Sequence, residues 1–250
     1  MIITWQFDKH DIESVEKLNN RYKDSYFVQQ RIKRNLHSKP ETLSKELFFK
    51  AMVSCLLTTQ QRSGPDTPVN NFINTKPFPL NYDICTSQKD LLQFIQQTIS
   101  NFGGLRRSNS IAREIDKNLQ KLENGLWNEI FKTLQQIIKS DSSAFKRSAA
   151  LYISSEFMGF GPKQSRNLLQ SLGYTKYEIP IDSRITKWLN RNGFPLKLTA
   201  SALSDENYYN FISDGIIELC KACNIEPCIL DALIFVSFDK SEWTEENTVW

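Results

Sequence analysis

Apolar residues recur at three- and four-residue steps through most of this chain, and that spacing limits the fold more than any other feature. Leu43, Leu47, Phe48, Ala51, Met52, Cys55 and Leu56 form one stripe, and Leu91, Leu92, Ile95, Ile99 and Phe102 a second. Ile111, Ile115, Leu119 and Leu122 continue the pattern, as do Leu126, Ile130, Leu134, Ile137 and Ile138. Such steps put side chains on one face of a helix, whereas period-two alternation is hard to find. The chain reads as all-α, with a short hairpin or edge near the start as the one place open to strand. Ser38 and Glu41 have capping-box spacing ahead of the first stripe, whose helix should end near Thr59 and Gln60. Breakers at Ser63-Gly64-Pro65-Asp66, Pro77 and Pro79 bracket a short helix through Val69, Phe72 and Ile73. The longest loops are expected between residues 61 and 90.

A chain of 250 residues, 40% hydrophobic and 24% charged, belongs with ordered globular proteins and has material for one large domain or two small ones. No apolar run approaches the ~18 residues of a membrane span. The start, Met1 to Asp8, lacks the features of a signal peptide, so the expected location is cytoplasmic and nucleoid-associated. Cys55, Cys85, Cys220, Cys223 and Cys228 are an odd, sparse set that reads as reduced thiols. With His10 and His37 the only histidines, zinc-hydrolase and Ser-His-Asp chemistry start at a disadvantage. Charge is uneven: residues 101–200 hold 16 Lys/Arg against 8 Asp/Glu, and residues 201–250 hold 2 against 10. A basic middle suits a phosphate backbone, although a solvated helix face accounts for the same charge.

Phe157-Met158-Gly159-Phe160-Gly161-Pro162-Lys163 is the most informative stretch. A helix through Leu151 to Phe157 stops at two glycines, and another begins at Pro162, a residue suited to a first helical position because it has no N–H to leave unpaired. The two helices meet in a tight hairpin. Gly159 and Gly161 let a phosphate come close, and the second helix's first amides can donate to it. The dinucleotide fingerprint fails because Gln164 stands where glycine is needed. Lys163 falls in the first turn, where the helix dipole and partial burial both disfavour its ammonium form. Nineteen residues on, Asp182 occupies the N-cap position of a helix that runs through Trp188 and Leu189 to Gly193. Capping alone explains an aspartate there. A fixed carboxylate opposite Lys163 would also complete a nucleophile and acid/base pair for cleaving an N-glycosidic bond.

The hairpin from Gly159 to Lys163, followed by Pro180-Ile181-Asp182-Ser183-Arg184, resembles the helix-hairpin-helix and Gly/Pro-rich-loop-aspartate signature of the endonuclease III and 8-oxoguanine DNA glycosylase superfamily. Leu56-Leu57-Thr58-Thr59-Gln60-Gln61 is similar to the helix that ends in that superfamily's DNA-probing glutamine. Gly104 to Ala112 is similar to the turn before one of its barrel helices. Together these matches span about residues 45 to 195.

The resemblance implies an all-α fold, with a six-helix barrel at 42–175 carrying the hairpin and a second helical domain from 1–41 and 176–250. DNA would cross the cleft between them. The implied activity is that of a DNA N-glycosylase and apurinic or apyrimidinic site lyase, acting as a monomer on double-stranded DNA with a damaged or modified base and touching no membrane. The target base would be an oxidised purine such as 8-oxoguanine. In this reading Lys163 attacks the sugar of a flipped nucleotide and Asp182 stabilises the developing positive charge. Gln60 or Gln61 fills the vacated space, while Gly159, Gly161, Arg166 and Arg184 hold DNA. No cofactor is required, though a monovalent cation could sit at the hairpin. An iron-sulfur cluster is not expected, because Cys220, Cys223 and Cys228 make three thiols where four are needed. The aromatic residues Trp188, Phe194, Tyr208, Tyr209, Phe235, Phe238 and Trp243 read as core more readily than as base-pocket wall. Ser165 stands where the family usually has alanine. Three alternatives stay open at this point: a hairpin module that binds DNA without chemistry, a glycosylase for another base that does not nick the strand, and an RNA or nucleoside N-glycosidase.

Overall fold

A computed structural model describes residues 4–39, 42–140 and 142–248, and among them there are helices and no strands. Helices α1 (Lys9–Tyr22) and α2 (Tyr26–Ile32) come first, followed by a π-helical turn at Lys33–His37 and then α3 (Lys45–Leu57). Two short helices follow, α4 (Pro68–Asn74) and α5 (Tyr82–Thr86). The middle of the chain forms α6 (Leu91–Phe102), α7 (Ser108–Lys121), α8 (Trp127–Lys139), α9 (Ser143–Glu156) and α10 (Pro162–Ser171). The last helices are α11 (Ser183–Arg191), α12 (Glu206–Ala222) and α13 (Pro227–Ser237).

Local sequence sets most of these boundaries. Asp8 and Asp11 form a reciprocal capping box at α1, and Thr67, Asn81, Asp90 and Asp205 each accept a backbone N–H at a helix start. The expected capping box at Ser38 is corrected. Ser38 instead terminates the π-helical turn, Glu41 lies outside the described residues, and α3 starts later, with the Ser44 hydroxyl accepting from Leu47 N at 3.1 Å. The hairpin or edge near the start is absent over residues 4–8, and residues 1–3 lie outside the description. Helix α5 was not anticipated; the Asn81 cap starts it inside the stretch read as loop.

Helix α3 is buried on nearly every side, with Phe48, Phe49, Met52, Val53, Leu56 and Leu57 all inaccessible. It therefore lies among other helices, with Glu46 exposed and Lys45, Leu47, Lys50, Ala51 and Ser54 partly so. Helices α5, α7 and α10 pack on it, α6 pairs with α7, and α8 and α10 flank α9. A second group, α1, α2, α11 and α12, packs around α13, whose residues from Pro227 to Ile234 are all buried. Leu92, Phe102 and Ile138 from the apolar stripes are partly exposed, at about two-fifths of their surface each.

Candidate active site

The hairpin forms as the sequence dictates. Helix α9 ends at Phe157, Gly159 takes φ +84°, and α10 begins at Pro162. A Cβ at Gly159 would lie 2.7 Å from Leu56 Cδ2 and 2.8 Å from Glu114 Cδ, so both conformation and space demand glycine. Helix α7 grips the turn: Met158 N donates to Asn118 Oδ1 (2.7 Å), Asn118 Nδ2 donates to Met158 O (2.9 Å), and Lys121 Nζ donates to Glu156 O (2.7 Å). Gly161 is exposed, and nothing lies within 4 Å of where its Cβ would stand. No side chain caps α10, which leaves its first-turn amides to an outside acceptor. The carbonyls of Phe157, Met158 and Phe160 each already accept an internal hydrogen bond, so a monovalent cation here would have to share them.

Gln164, where a dinucleotide loop would need glycine, braces α10 against α3. Its buried amide donates to Cys55 O (2.6 Å) and also meets Thr59 Oγ1. Asn167 Nδ2 reaches Cys55 Sγ at 3.4 Å. Burial pushes the Cys55 thiol up to about 12 despite the nearby Lys163 ammonium, so it stays a neutral packing group. Lys163, held by this brace, is partly exposed and has Gln164 Oε1 at 3.3 Å.

Asp182 caps α11 as expected. One oxygen, Oδ1, accepts from Arg184 N (2.8 Å) and Ile185 N (3.1 Å), while Oδ2 lies 4.0 Å from Arg184 Nη1. Capping thus consumes one oxygen and leaves the other. Lys163 and Asp182 line the same cavity, of about 1390 Å³, between the wall made by α3 and α10 and the wall made by α11 and α13. Lys50, Arg62, Lys76 and Lys187 add positive charge to its lining. Phe235 and Phe238 are the two members of the sequence-selected aromatic set that line it; Trp188, Tyr209 and Trp243 are buried elsewhere.

Other expected site residues are distributed differently. Gln60 is exposed at φ +57°, whereas Gln61 is tied at both ends, donating to Leu57 O (2.9 Å) and accepting from Arg106 N (2.6 Å). Arg184 lines the cavity but is held over the Phe235 ring at 3.8 Å and paired with Asp239 (3.2 Å). Arg166 corrects the expectation of a DNA contact. It is wholly buried, with Nε on Glu178 Oε2 (3.0 Å), Nη2 on Asn210 Oδ1 (2.9 Å) and Glu206, and its guanidinium over the Tyr209 ring. The physical reason is the position of Arg166, which lies on the side of α10 facing α12, where three polar partners repay desolvation.

Sequence reasoning missed an ion pair in the cavity lining, Arg31 Nη1 to Asp231 Oδ2 at 2.7 Å, both side chains buried and 200 residues apart. Burial raises the Asp231 carboxyl, with Arg31 opposing and the Asp182 charge adding to the rise. A lone aspartate within the apolar run of α13 was the available signal. Cys220 and Cys228 are buried and Cys223 is partly exposed, and all three are free thiols.

Several solved structures share this architecture. The 8-oxoguanine glycosylase/lyase of Methanocaldococcus jannaschii, in complex with a 15mer DNA containing 8-oxoguanine, matches 93% of this chain and 99% of its own, with a TM-score of 0.69 and 17% identity. The chain has the 8-oxoguanine DNA glycosylase fold. A second structure of the M. jannaschii 8-oxoguanine DNA glycosylase matches at 19% identity, 93% and 95% coverage and TM-score 0.65. The 8-oxoguanine DNA glycosylase of Thermotoga maritima matches at 14% identity, 92% and 97% coverage and TM-score 0.66. No family model and no curated protein sequence matches the chain. On this glycosylase fold, no described helix is long and apolar enough to cross a membrane.

Proposed function

We propose that this protein is a DNA N-glycosylase with apurinic/apyrimidinic lyase activity, acting on double-stranded DNA with an oxidised purine such as 8-oxoguanine. The observation that carries this reading is that Lys163 and Asp182, from separate segments, line one cavity on a glycosylase fold. We divide the chain into a barrel domain, 42–175, and a second domain, 1–41 and 176–250, with that cavity as the cleft between them.

DNA would lie across the cavity mouth, a phosphate against the uncapped start of α10 and the bare backbone of Gly159 and Gly161. Its glycosidic carbon is out of reach inside the base stack, so the target nucleotide must swing out into the cavity. Gln60, exposed and free of the bonds that tie Gln61, takes the vacated space. The Lys163 amine, as free base, forms a bond to C1′ while the C1′–N bond breaks and its electron pair leaves with the base. Asp182 faces the positive charge that develops on the sugar and accepts the proton the amine sheds. Asp182 passes that proton to the ring oxygen as the C1′–O4′ bond breaks, which opens the ring to a protonated Schiff base, while the departing base takes a proton from water. Loss of the C2′ proton then expels the 3′ phosphate by β-elimination and cuts the strand, and hydrolysis returns Lys163. No step needs a metal.

A panel of duplexes, each with one lesion, tests the proposal when scored separately for free base and for strand breaks, with borohydride present to trap a Schiff base. Release of an oxidised purine together with a covalent adduct is expected. Base release with no adduct would leave a monofunctional glycosylase. Tight binding with neither product would leave a hairpin module that only holds DNA.

A further inference from the structure

Two parts of the proposed site, the helix that carries Lys163 and the segment that delivers Asp182, meet a single side chain behind the cavity. The delivering segment, Ile179-Pro180-Ile181, belongs to no helix and has no strand beside it among the described residues, and Pro180 has no N–H to anchor it. Its flanking backbone groups are buried and require partners. The phenol of Tyr209, on α12, supplies both: its oxygen accepts from Ile181 N at 2.6 Å and its O–H donates to Ile179 O at 2.8 Å. The next residue is Asp182. The ring of Tyr209, itself inaccessible to solvent, lies under the Arg166 guanidinium at 4.8 Å. Arg166 is three residues beyond Lys163 on α10, with Nη1 3.3 Å from Pro162 O. It also holds Glu178, the residue just before the clamped segment, at 3.0 Å.

We propose that Tyr209 is a positioning residue for the reaction: through its hydroxyl it fixes the backbone that delivers Asp182, and through its ring and Arg166 it registers that backbone against the helix bearing Lys163. This inference rests on the glycosylase reading above. Asp182 is anchored on its far side by its own two cap bonds to α11, so the phenol is what fixes the near side. Without it, α11 and its capping carboxylate can shift as a unit while the cap itself stays intact. Misplacement on the scale of an ångström slows chemistry by about a hundredfold without weakening substrate binding.

The test is single-turnover base excision and DNA affinity for Tyr209→Phe, which keeps the ring over Arg166 and removes only the hydroxyl. The expected result is an excision rate lowered about 30-fold, DNA affinity within twofold of wild type, and faster amide hydrogen exchange at Ile181. Asp214→Asn controls for general loosening of α12, because it weakens that helix's contact to Arg147 of α9 and should leave the rate within twofold. Should Tyr209→Phe fail to fold, Pro180→Gly loosens the same segment with the phenol in place and must show the same loss of rate at unchanged affinity. An undiminished rate in Tyr209→Phe, a parallel fall of rate and affinity, or an equal loss in Asp214→Asn overturns the inference and leaves the glycosylase reading standing. A wild-type protein that releases no base from any duplex overturns both.

Discussion

Lys163 and Arg166 sit three residues apart on α10, yet they occupy opposite electrostatic worlds. Lys163 faces the cavity and, among the described residues, pairs with no carboxylate, whereas Arg166 is wholly buried against Glu178, Glu206 and Asn210. A helix turns about 100° per residue, so three positions leave the two side chains about 60° apart around the axis, and on α10 the boundary between cavity and core falls between them. What separates an available cation from a structural one is therefore the set of carboxylates the fold brings to it. The cavity side of α10 keeps its cation available, and the core side consumes its cation in holding α10 to α12.

The largest effect should come from the available cation. Lys163→Gln is expected to abolish borohydride trapping and lower base excision by at least ~10³-fold, since the proposed nucleophile is gone. DNA affinity should stay within about threefold and the melting temperature close to wild type, as measured by gel shift and calorimetry. An undiminished adduct would move the chemistry to another lysine. Asp182→Asn asks the same question across the cavity. Asparagine caps a helix about as well as aspartate, so stability should hold within about 0.5 kcal/mol while the excision rate falls by ~10²–10⁴-fold. A drop in melting temperature with unchanged rate would assign Asp182 to capping alone.

The same contrast explains what the sequence could show. Element type was legible because apolar spacing and caps are local: the hairpin from Gly159 to Pro162 and the Asp182 cap follow from a few neighbouring residues. The pairing of Lys163 with Asp182 came from a resemblance and not from spacing, since nineteen residues of separation do not fix a direction in space. Arg166 was misread for the same reason. Its partners Glu178, Glu206 and Asn210 are 12, 40 and 44 positions away, and nothing adjacent to Arg166 announces them. Arg31 and Asp231 went unnoticed at a separation of 200. The start of α3 was misplaced because Ser38 and Ser44 both satisfy a local capping rule, and only packing selects between them.

Arg166 offers the converse test on the core side of α10. Arg166→Met removes the guanidinium but keeps much of the stem's volume, stranding Glu178, which is fully buried. Removing one partner of a buried pair costs about 3–5 kcal/mol, moderated here because Arg147 still reaches Glu178 Oε1 at 3.1 Å. Chemical denaturation should show that loss. The dependence of DNA affinity on salt should be unchanged, because a buried arginine releases no counterions on binding, whereas Lys187→Ala at the cavity should flatten the slope by about one unit. A flatter slope in Arg166→Met would restore this residue to the DNA-binding surface.

The smallest effect concerns the carboxylate packed behind the hairpin. Glu114 abuts Gly159 and pairs with Arg107 at 2.9 Å, but burial outweighs that partner and raises its carboxyl above the ordinary 4.5. A raised native value means that the folded state binds the proton more tightly than the unfolded chain. Its contribution to stability is thus complete below about pH 4.5 and is lost as pH climbs through the native value. Glu114→Gln, which cannot titrate, should trail wild type most in melting temperature at the acid end of that window and close the gap toward neutrality. A gap that widened with rising pH would mean that the Arg107 pair, and not burial, governs the packing behind the hairpin.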